Sequence, residues 1–171
     1  MQVPLVMTVI GKDRTGLVES IARLVADHGG NWLESRMCRL GGEFAGILRV
    51  HVPAERRAAL EQALAKLNEL NVVVRADEPV RAAAEPGFGS LEVIGPDRPG
   101  IVREISHALA AQLVNVEELA TECVSAPMSG EPLFQAHAKL RLPAGVSVPA
   151  LRQSLERAAA EIGVEFTITE V

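Results

Sequence analysis

The sequence has little of what a nucleic-acid surface or a disulfide framework requires. It contains no tyrosine, one tryptophan and four phenylalanines, and its formal net charge is −5. A nucleic-acid interface needs clustered positive charge and often stacking aromatic rings, so direct binding to DNA or RNA is not expected. The two cysteines, Cys38 and Cys123, are too few for a disulfide framework, and we expect them to be buried or half-buried reduced thiols.

The chain also lacks long apolar runs and the short motifs of common active sites. The first apolar run, from Val3 to Ile10, is too short for a signal peptide or a membrane span, so a cytoplasmic protein with no membrane contact is expected. There is no nucleophile elbow, phosphate loop, zinc-protease motif or Rossmann glycine pattern. No cysteine or histidine spacing is typical of a metal site. The sequence therefore predicts that the protein is not an enzyme and holds no cofactor.

What the sequence does contain is one loop pattern that occurs twice. Residues 10–17 read IGKDRTGL and residues 94–101 read IGPDRPGI, so the second copy follows the first by 84 residues. Each copy comes after a short apolar run and before apolar residues at helical spacing, which predicts a strand, a glycine-bounded loop and the start of a helix. Because the repeat is half as long as the chain, we expect two copies of one small fold.

Hydrophobic periodicity predicts the same order of elements in both halves. The run 3–10 is nearly all apolar, which favours a strand that is central in its sheet and buried on both faces. A helix, two strands joined by Gly41-Gly42, a second helix and a last strand follow it. In the second half the corresponding hairpin, 125–132, is several residues longer.

These patterns predict an α+β protein of two ferredoxin-like β-α-β-β-α-β domains, each an antiparallel sheet with helices on one face. The segment around residues 79–87 is rich in proline, glycine and alanine and has no apolar periodicity. We therefore expect a first domain at 1–78, a linker at 79–87 and a second domain at 88–171.

The repeated residues have the chemistry to bind an amino acid. Free N–H groups at a helix start near Gly16 or Gly100 suit a carboxylate, and glycine allows a close approach. An aspartate can accept a hydrogen bond from an ammonium group, and an asparagine can both donate and accept. The residues with this chemistry are Asp13, Gly16 and Asn31 in the first half, and Asp97, Gly100 and Asn115 in the second.

Structural roles are also consistent with these residues. Asp13 and Asp97 could cap the following helix or pair with the neighbouring Arg14 and Arg98. The glycines at positions 11 and 95 could serve a positive φ or tight packing, and the two asparagines could be turn residues.

Both halves resemble ACT domains, which are small-molecule-binding regulatory modules of amino-acid metabolism. The apolar strand, the loops G-x-D-R-x-G-L and G-x-D-R-P-G-I, and the asparagine that opens the second strand carry this resemblance. A tandem pair of this length is similar to the glycine-cleavage-system transcriptional repressor family.

The resemblance implies a ligand site between two ACT units, where the first loop of one unit faces the start of the second strand of the other. It adds Gly11, Leu17, Gly95 and Ile101 to the candidate ligand-binding residues. It further implies a regulator that binds a small amino acid, such as glycine, and acts on transcription through a DNA-binding partner protein. An accessory subunit that gives a metabolic enzyme amino-acid feedback control is the alternative. ACT-type sheets also associate between chains, so a homo-oligomer is consistent with the resemblance.

Overall fold

The computed structural model describes residues 1–77, 87–127 and 130–171. The predicted linker, 79–87, lies outside the described residues except for Gly87, which begins a strand. The strands are β1 (Gln2–Lys12), β2 (Asn31–Leu40), β3 (Glu43–Pro53), β4 (Asn71–Ala76), β5 (Gly87–Pro96), β6 (Asn115–Ser125), β7 (Pro132–Leu142) and β8 (Glu165–Glu170). The helices are α1 (Leu17–Asp27), α2 (Arg57–Leu64), α3 (Ile101–Ala111) and α4 (Val148–Ile162), and a 3₁₀ turn at Ala54–Arg56 precedes α2.

The chain divides into two compact units, Met1–Val80 and Arg81–Val171, here called unit 1 and unit 2. Each contains one four-stranded antiparallel sheet, in the order β2-β3-β1-β4 in unit 1 and β6-β7-β5-β8 in unit 2. The predicted fold class, two ferredoxin-like β-α-β-β-α-β domains, is therefore confirmed. The longer hairpin of unit 2 is visible in the strand bounds, because β6 ends at Ser125 and β7 begins at Pro132.

The helices form because their apolar residues recur on one face and their ends carry the residues that helix termini need. In α1 the buried side chains are Leu17, Ile21 and Val25, spaced four residues apart. Helix α4 starts at Ser147, whose hydroxyl accepts a hydrogen bond from the backbone N–H of Ala150, and it ends at Gly163 with φ 65°. Each helix pair covers one face of its sheet.

The prediction that the first strand is buried on both faces is wrong. Leu5, Met7 and Val9 are fully buried, but Ile10 is 47% exposed, and Thr8 is exposed as well. The strand is central, as expected. Its second face is open because both helices of the unit pack on the same side of the sheet.

The expectation that the cysteines are buried or half-buried is also wrong, since Cys38 and Cys123 are both exposed. They lie on β2 and β6, each of which is one of the two edge strands of its sheet. Side chains near the end of an edge strand have a neighbouring strand on one side only. Among the described residues, no helix is long and apolar enough to cross a membrane.

Candidate functional site

The two repeated loops connect β1 to α1 and β5 to α3 and have the same backbone form. Gly16 and Gly100 are the N-cap residues, directly before the helices, and they have φ 91° and 101°. A residue with a side chain is strained at such angles, so glycine is required there. Neither helix receives a hydrogen bond from a capping side chain. The alternative that Asp13 and Asp97 cap the helices is therefore wrong, and the N–H groups of the first turns stay available.

In unit 1 both charges of the loop are paired within the chain. The Nε of Arg39 donates to Oδ2 of Asp13 at 2.6 Å, and Arg14 forms an ion pair with Glu69. The expected pairing of Asp13 with Arg14 is thus wrong. Both residues find partners that are distant in sequence.

In unit 2 the partners of the corresponding charges are missing. Arg39 lies opposite Phe44 in the β2–β3 pair, and Cys123 lies opposite Phe134 in the β6–β7 pair, so Cys123 occupies the position of Arg39. The position of Glu69 is taken by Gly163, beside which the guanidinium of Arg98 lies. Within the described parts of the chain, neither Asp97 nor Arg98 forms an ion pair.

The carboxylate of Asp97 changes the pKa of the neighbouring Cys123 thiol. That pKa is raised by desolvation, by the negative charge of Asp97 and by the hydrogen bond that the thiol donates to Asp97. Both causes that involve Asp97 act because a carboxylate disfavours a thiolate beside it. The carboxylate of unit 2 therefore faces a neutral, weak donor, whereas that of unit 1 faces a guanidinium.

The glycines at the strand ends are explained by close packing. A Cβ on Gly11 would lie 2.1 Å from the backbone oxygen of Glu69, and a Cβ on Gly95 would lie 2.9 Å from the Cα of Val164. Neither glycine has a positive φ. Their contacts supply a structural reason for glycine at both positions.

Two further candidates offer only their backbone to a ligand. The side chains of Leu17 and Ile101 are each 2% exposed and belong to the cores of their units. Each is the first residue of its helix, so its N–H is one of the donors that the helix leaves unpaired.

The candidate asparagines lie at the opposite end of the sheet from the loops. Asn31 pairs with His51, whereas the N–H of Asp13 bonds to Gly42, next to the other end of β3. Residues 43 and 51 are eight positions apart, which corresponds to about 27 Å in an extended strand. In unit 2, Asn115 pairs with Arg141 and the N–H of Asp97 bonds to Pro132, so the separation is again about 30 Å. One unit cannot place its loop and its asparagine on the same small ligand.

Sequence reasoning missed two features of unit 2. The first is the unpaired Arg98, which becomes visible when the two halves are aligned by strand register and their ion-pair positions are compared. The second is a shallow apolar cleft between α3 and β6, with a cavity volume of about 30 Å³. Among the described residues there is no group of histidine, cysteine and acidic side chains that could hold a metal ion.

Comparison with known proteins finds a family on the first unit. Residues 3–76 match the family model described as the ACT domain. Those residues include the β1–α1 loop and Asn31, on which the resemblance rests. Unit 2 repeats the same fold with the same order of strands.

Individual relatives resemble either the whole chain or one unit. The glycine cleavage system transcriptional repressor of Escherichia coli strain K12 is 27% identical over 173 residues, which cover 98% of this chain and 90% of that protein. The crystal structure of an unknown protein from Galdieria sulphuraria is 31% identical, with a TM-score of 0.87 and coverage of 100% of this chain and 99% of that one. A UPF0237 protein of Methanopyrus kandleri is 38% identical over 77 residues, or 44% of this chain and 79% of that protein.

Proposed function

Because the chain is a tandem ACT-domain protein that resembles the glycine cleavage system transcriptional repressors, we propose that it is a ligand-responsive transcriptional regulator. In this role it binds a small amino acid, glycine, and acts in the cytoplasm through a DNA-binding partner protein. The observation that carries the proposal is the unpaired Asp97 and Arg98 beside the open start of α3.

The loop of unit 2 complements a zwitterion. An amino acid presents an ammonium group and a carboxylate a few ångströms apart, and adjacent Asp97 and Arg98 present the two opposite charges. The N–H groups of the first turn of α3 and the positive end of its dipole favour the carboxylate further. Glycine suits the loop because Gly100 leaves space next to the backbone, with no atom within 4 Å of where its Cβ would stand.

The corresponding loop of unit 1 is a weaker binder for an electrostatic reason. To bind an ammonium group, Asp13 has to give up its hydrogen bond with Arg39, so one charge-assisted contact replaces another. Asp97 gives up only water and a thiol, which is a weak donor. The gain on binding is therefore larger in unit 2.

A role in transcription through a partner is supported by the charge of the chain and by its relative. The protein carries a formal net charge of −5, and DNA phosphates repel it. The E. coli relative, which is similar over nearly the full length, is named as a transcriptional repressor. An acidic regulator of this kind reaches DNA through a protein that has the basic surface.

Calorimetric titration of the full chain tests the ligand. We expect glycine to bind saturably, serine and alanine to bind less well, and Asp97→Asn together with Arg98→Gln to abolish binding. The matched variant is Asp13→Asn with Arg14→Gln, which removes the same groups from unit 1 and should retain most of the affinity. Equal losses in the two variants, or no heat with any amino acid, would contradict the site.

A separate experiment tests the partner. Immobilised protein should retain a sequence-specific DNA-binding protein from a cell extract, to an extent that changes when glycine is added. The isolated chain should not shift DNA in a gel at physiological salt. Specific DNA binding by the chain alone would sink the proposed mode of action, whatever the outcome of the calorimetry.

A further inference from the structure

We propose that Gly163, the residue that ends α4, is a positioning residue of the amino-acid site in unit 2. It holds the guanidinium of Arg98 back from the start of α3 and without a carboxylate partner among the described residues. The site therefore selects amino acids, which carry a carboxylate beside their ammonium group, over simple amines. This role concerns the same loop and so rests on the proposed function, and Gly163 acts through Arg98 without touching the ligand.

The guanidinium of Arg98 packs directly against Gly163. A Cβ added to Gly163 would be 3.3 Å from Nη2, 3.5 Å from Nη1 and 3.6 Å from Cζ of Arg98. The guanidinium therefore borders the place that a side chain would occupy, and a side chain at position 163 would push it away. Gly163 also has φ 65°, which glycine adopts without strain at the end of a helix.

The end of α4 attracts the positive charge of Arg98 without forming an ion pair with it. Gly163 caps the C-terminus of α4, so the guanidinium lies at that end of the helix. The C-terminus of a helix carries about half a negative charge, which favours a nearby cation. In unit 1 the helix α2 stops at Leu64, and the turn that follows presents the full charge of Glu69 to Arg14. Arg14 is therefore neutralised, whereas Arg98 keeps its charge for a ligand.

The two arginines also differ in whether they cover the start of their helix. Nη1 of Arg14 donates to the backbone oxygen of Thr15 at 3.0 Å, and it is 3.9 Å from the place of a Cβ on Gly16. Arg14 therefore lies over the start of α1. At Gly100 no atom of the described residues comes within 4 Å of the same place, so Arg98 leaves the start of α3 uncovered.

A guanidinium without a partner allows the carboxylate of the ligand to contribute to affinity. Arg98 has five N–H donors in a planar fork, and the first turn of α3 has further N–H groups. A carboxylate binds these donors without displacing an ion pair, whereas a simple amine contacts Asp97 only. In unit 1 a ligand carboxylate would first have to displace Glu69 from Arg14. Residue 163 thus sets how strongly unit 2 distinguishes an amino acid from an amine.

Gly163→Asp and Gly163→Asn form a matched pair of variants that tests this role. Aspartate and asparagine have nearly the same shape, and both tolerate the left-handed backbone of position 163. Both displace the guanidinium, but only aspartate offers it a negative charge. In calorimetric titration of the full chain, we expect Gly163→Asp to bind glycine about fivefold more weakly than Gly163→Asn, which is the effect of one exposed ion pair. Glycinamide, which lacks the carboxylate, should bind to Gly163→Asp at least as well as to Gly163→Asn.

A second measurement needs no amino acid. Phenylglyoxal modifies guanidinium groups, and a carboxylate partner slows the reaction. With mass spectrometry as the readout, Arg98 of the wild-type chain should react faster than Arg14, and it should react more slowly in Gly163→Asp than in Gly163→Asn. Glu69→Gln is the converse control, since it removes the partner of Arg14 and should speed the reaction of that residue alone.

Equal reactivity of Arg98 in the two variants overturns the proposal. Equal affinity of the two variants for glycine overturns it as well, as does a wild-type chain that binds glycine and glycinamide equally. The proposed function fails in a different way. A wild-type chain that binds no amino acid, yet shows the expected reactivities, would contradict the amino-acid ligand while supporting the placement of Arg98 by Gly163.

Discussion

Asp13 and Asp97 occupy the same position in two copies of one loop, but their carboxylates have different partners. Asp13 is held by the guanidinium of Arg39 at 2.6 Å, and both side chains are partly exposed, so this pair adds roughly 0–1 kcal/mol to stability. Its main effect is to keep the carboxylate occupied. Asp97 lies beside the thiol of Cys123, which leaves its charge available.

Cys123→Arg should convert the loop of unit 2 into a copy of the loop of unit 1. The new guanidinium is placed to pair with Asp97, so an incoming ammonium group has to displace it. We expect the affinity for glycine to fall about tenfold, which corresponds to about 1.4 kcal/mol, in calorimetric titration.

The control for this change is Cys38→Arg, which adds the same charge at an exposed position of β2. Cys38 lies opposite Ala45, one residue before Arg39, so its side chain is on the face of its own sheet opposite to that of Arg39. Its affinity should match that of wild type. Equal affinities for all three proteins would show that the residue facing Asp97 does not govern binding.

The same contact makes the reactivity of Cys123 depend on Asp97. Desolvation raises the pKa of the Cys123 thiol most, and the carboxylate of Asp97 raises it further through its charge and hydrogen bond. Asp97→Asn removes the charge, so the pKa should move down and the thiolate should appear at lower pH. Alkylation of Cys123 by iodoacetamide, followed by mass spectrometry from pH 7 to about 9.5, should be faster in the variant at each pH. Cys38 serves as the internal reference, and an unchanged ratio of the two rates would refute the coupling.

At the scale of elements, the end of β1 is fixed by the way it meets the segment before β4. Gly11 lies against the backbone of Glu69, and the side chain of Glu69 pairs with Arg14 on the far side of the loop. The strand, the loop and the turn before β4 therefore form one packed corner, with no room for a side chain at position 11.

Gly11→Ala should destabilise the protein by about 1–3 kcal/mol, because the new Cβ would lie 2.1 Å from a backbone oxygen that has to move. Urea unfolding followed by circular dichroism measures the change. Gly87→Ala is the matched control, since its Cβ would make ordinary contacts at 3.5 Å with Leu142. That variant should lie within about 0.5 kcal/mol of wild type, and similar losses in both would contradict the packing explanation.

Local patterns predicted the elements well, because they depend on neighbours in sequence. The alternation along β3 correctly predicts the buried Leu48, Val50 and Val52, and the glycine pairs mark the ends of α1 and β2. The partners of the loop charges could not be predicted in this way. Arg39 is 26 residues from Asp13, and Glu69 is 55 residues from Arg14, so only the folded sheet brings them together.

The cysteines illustrate how sensitive such inferences are to register. They are 85 residues apart and look like repeated positions, but the two edge strands correspond at an offset of 84. A slip of one residue moves a side chain to the other face of a sheet. Cys38 therefore faces away from the helices, whereas Cys123 takes the place of Arg39.

At the scale of the whole molecule, the two units share one fold but differ in whether the charges of the repeated loop are paired. In unit 1 the loop charges are paired, Asp13 with Arg39 and Arg14 with Glu69, whereas in unit 2 Asp97 and Arg98 form no ion pair among the described residues. We infer a division of labour, in which unit 2 binds the amino acid and unit 1 keeps the same fold with its loop charges occupied by its own side chains.

This division of labour requires that the two units can be perturbed separately. Each unit has its own buried hydrophobic cluster, which is consistent with that requirement. The buried residues in the cluster of unit 1 all lie between positions 5 and 70, and those of unit 2 lie between positions 91 and 168. Leu155 in α4 and Leu60 in α2 are both fully buried, so each change to alanine should destabilise its own unit by about 2–5 kcal/mol. Hydrogen exchange measured by mass spectrometry should show faster exchange in β5–β8 for Leu155→Ala and in β1–β4 for Leu60→Ala. If either variant accelerated all eight strands equally, the units would unfold as one, and a ligand on unit 2 would stabilise unit 1 to the same extent.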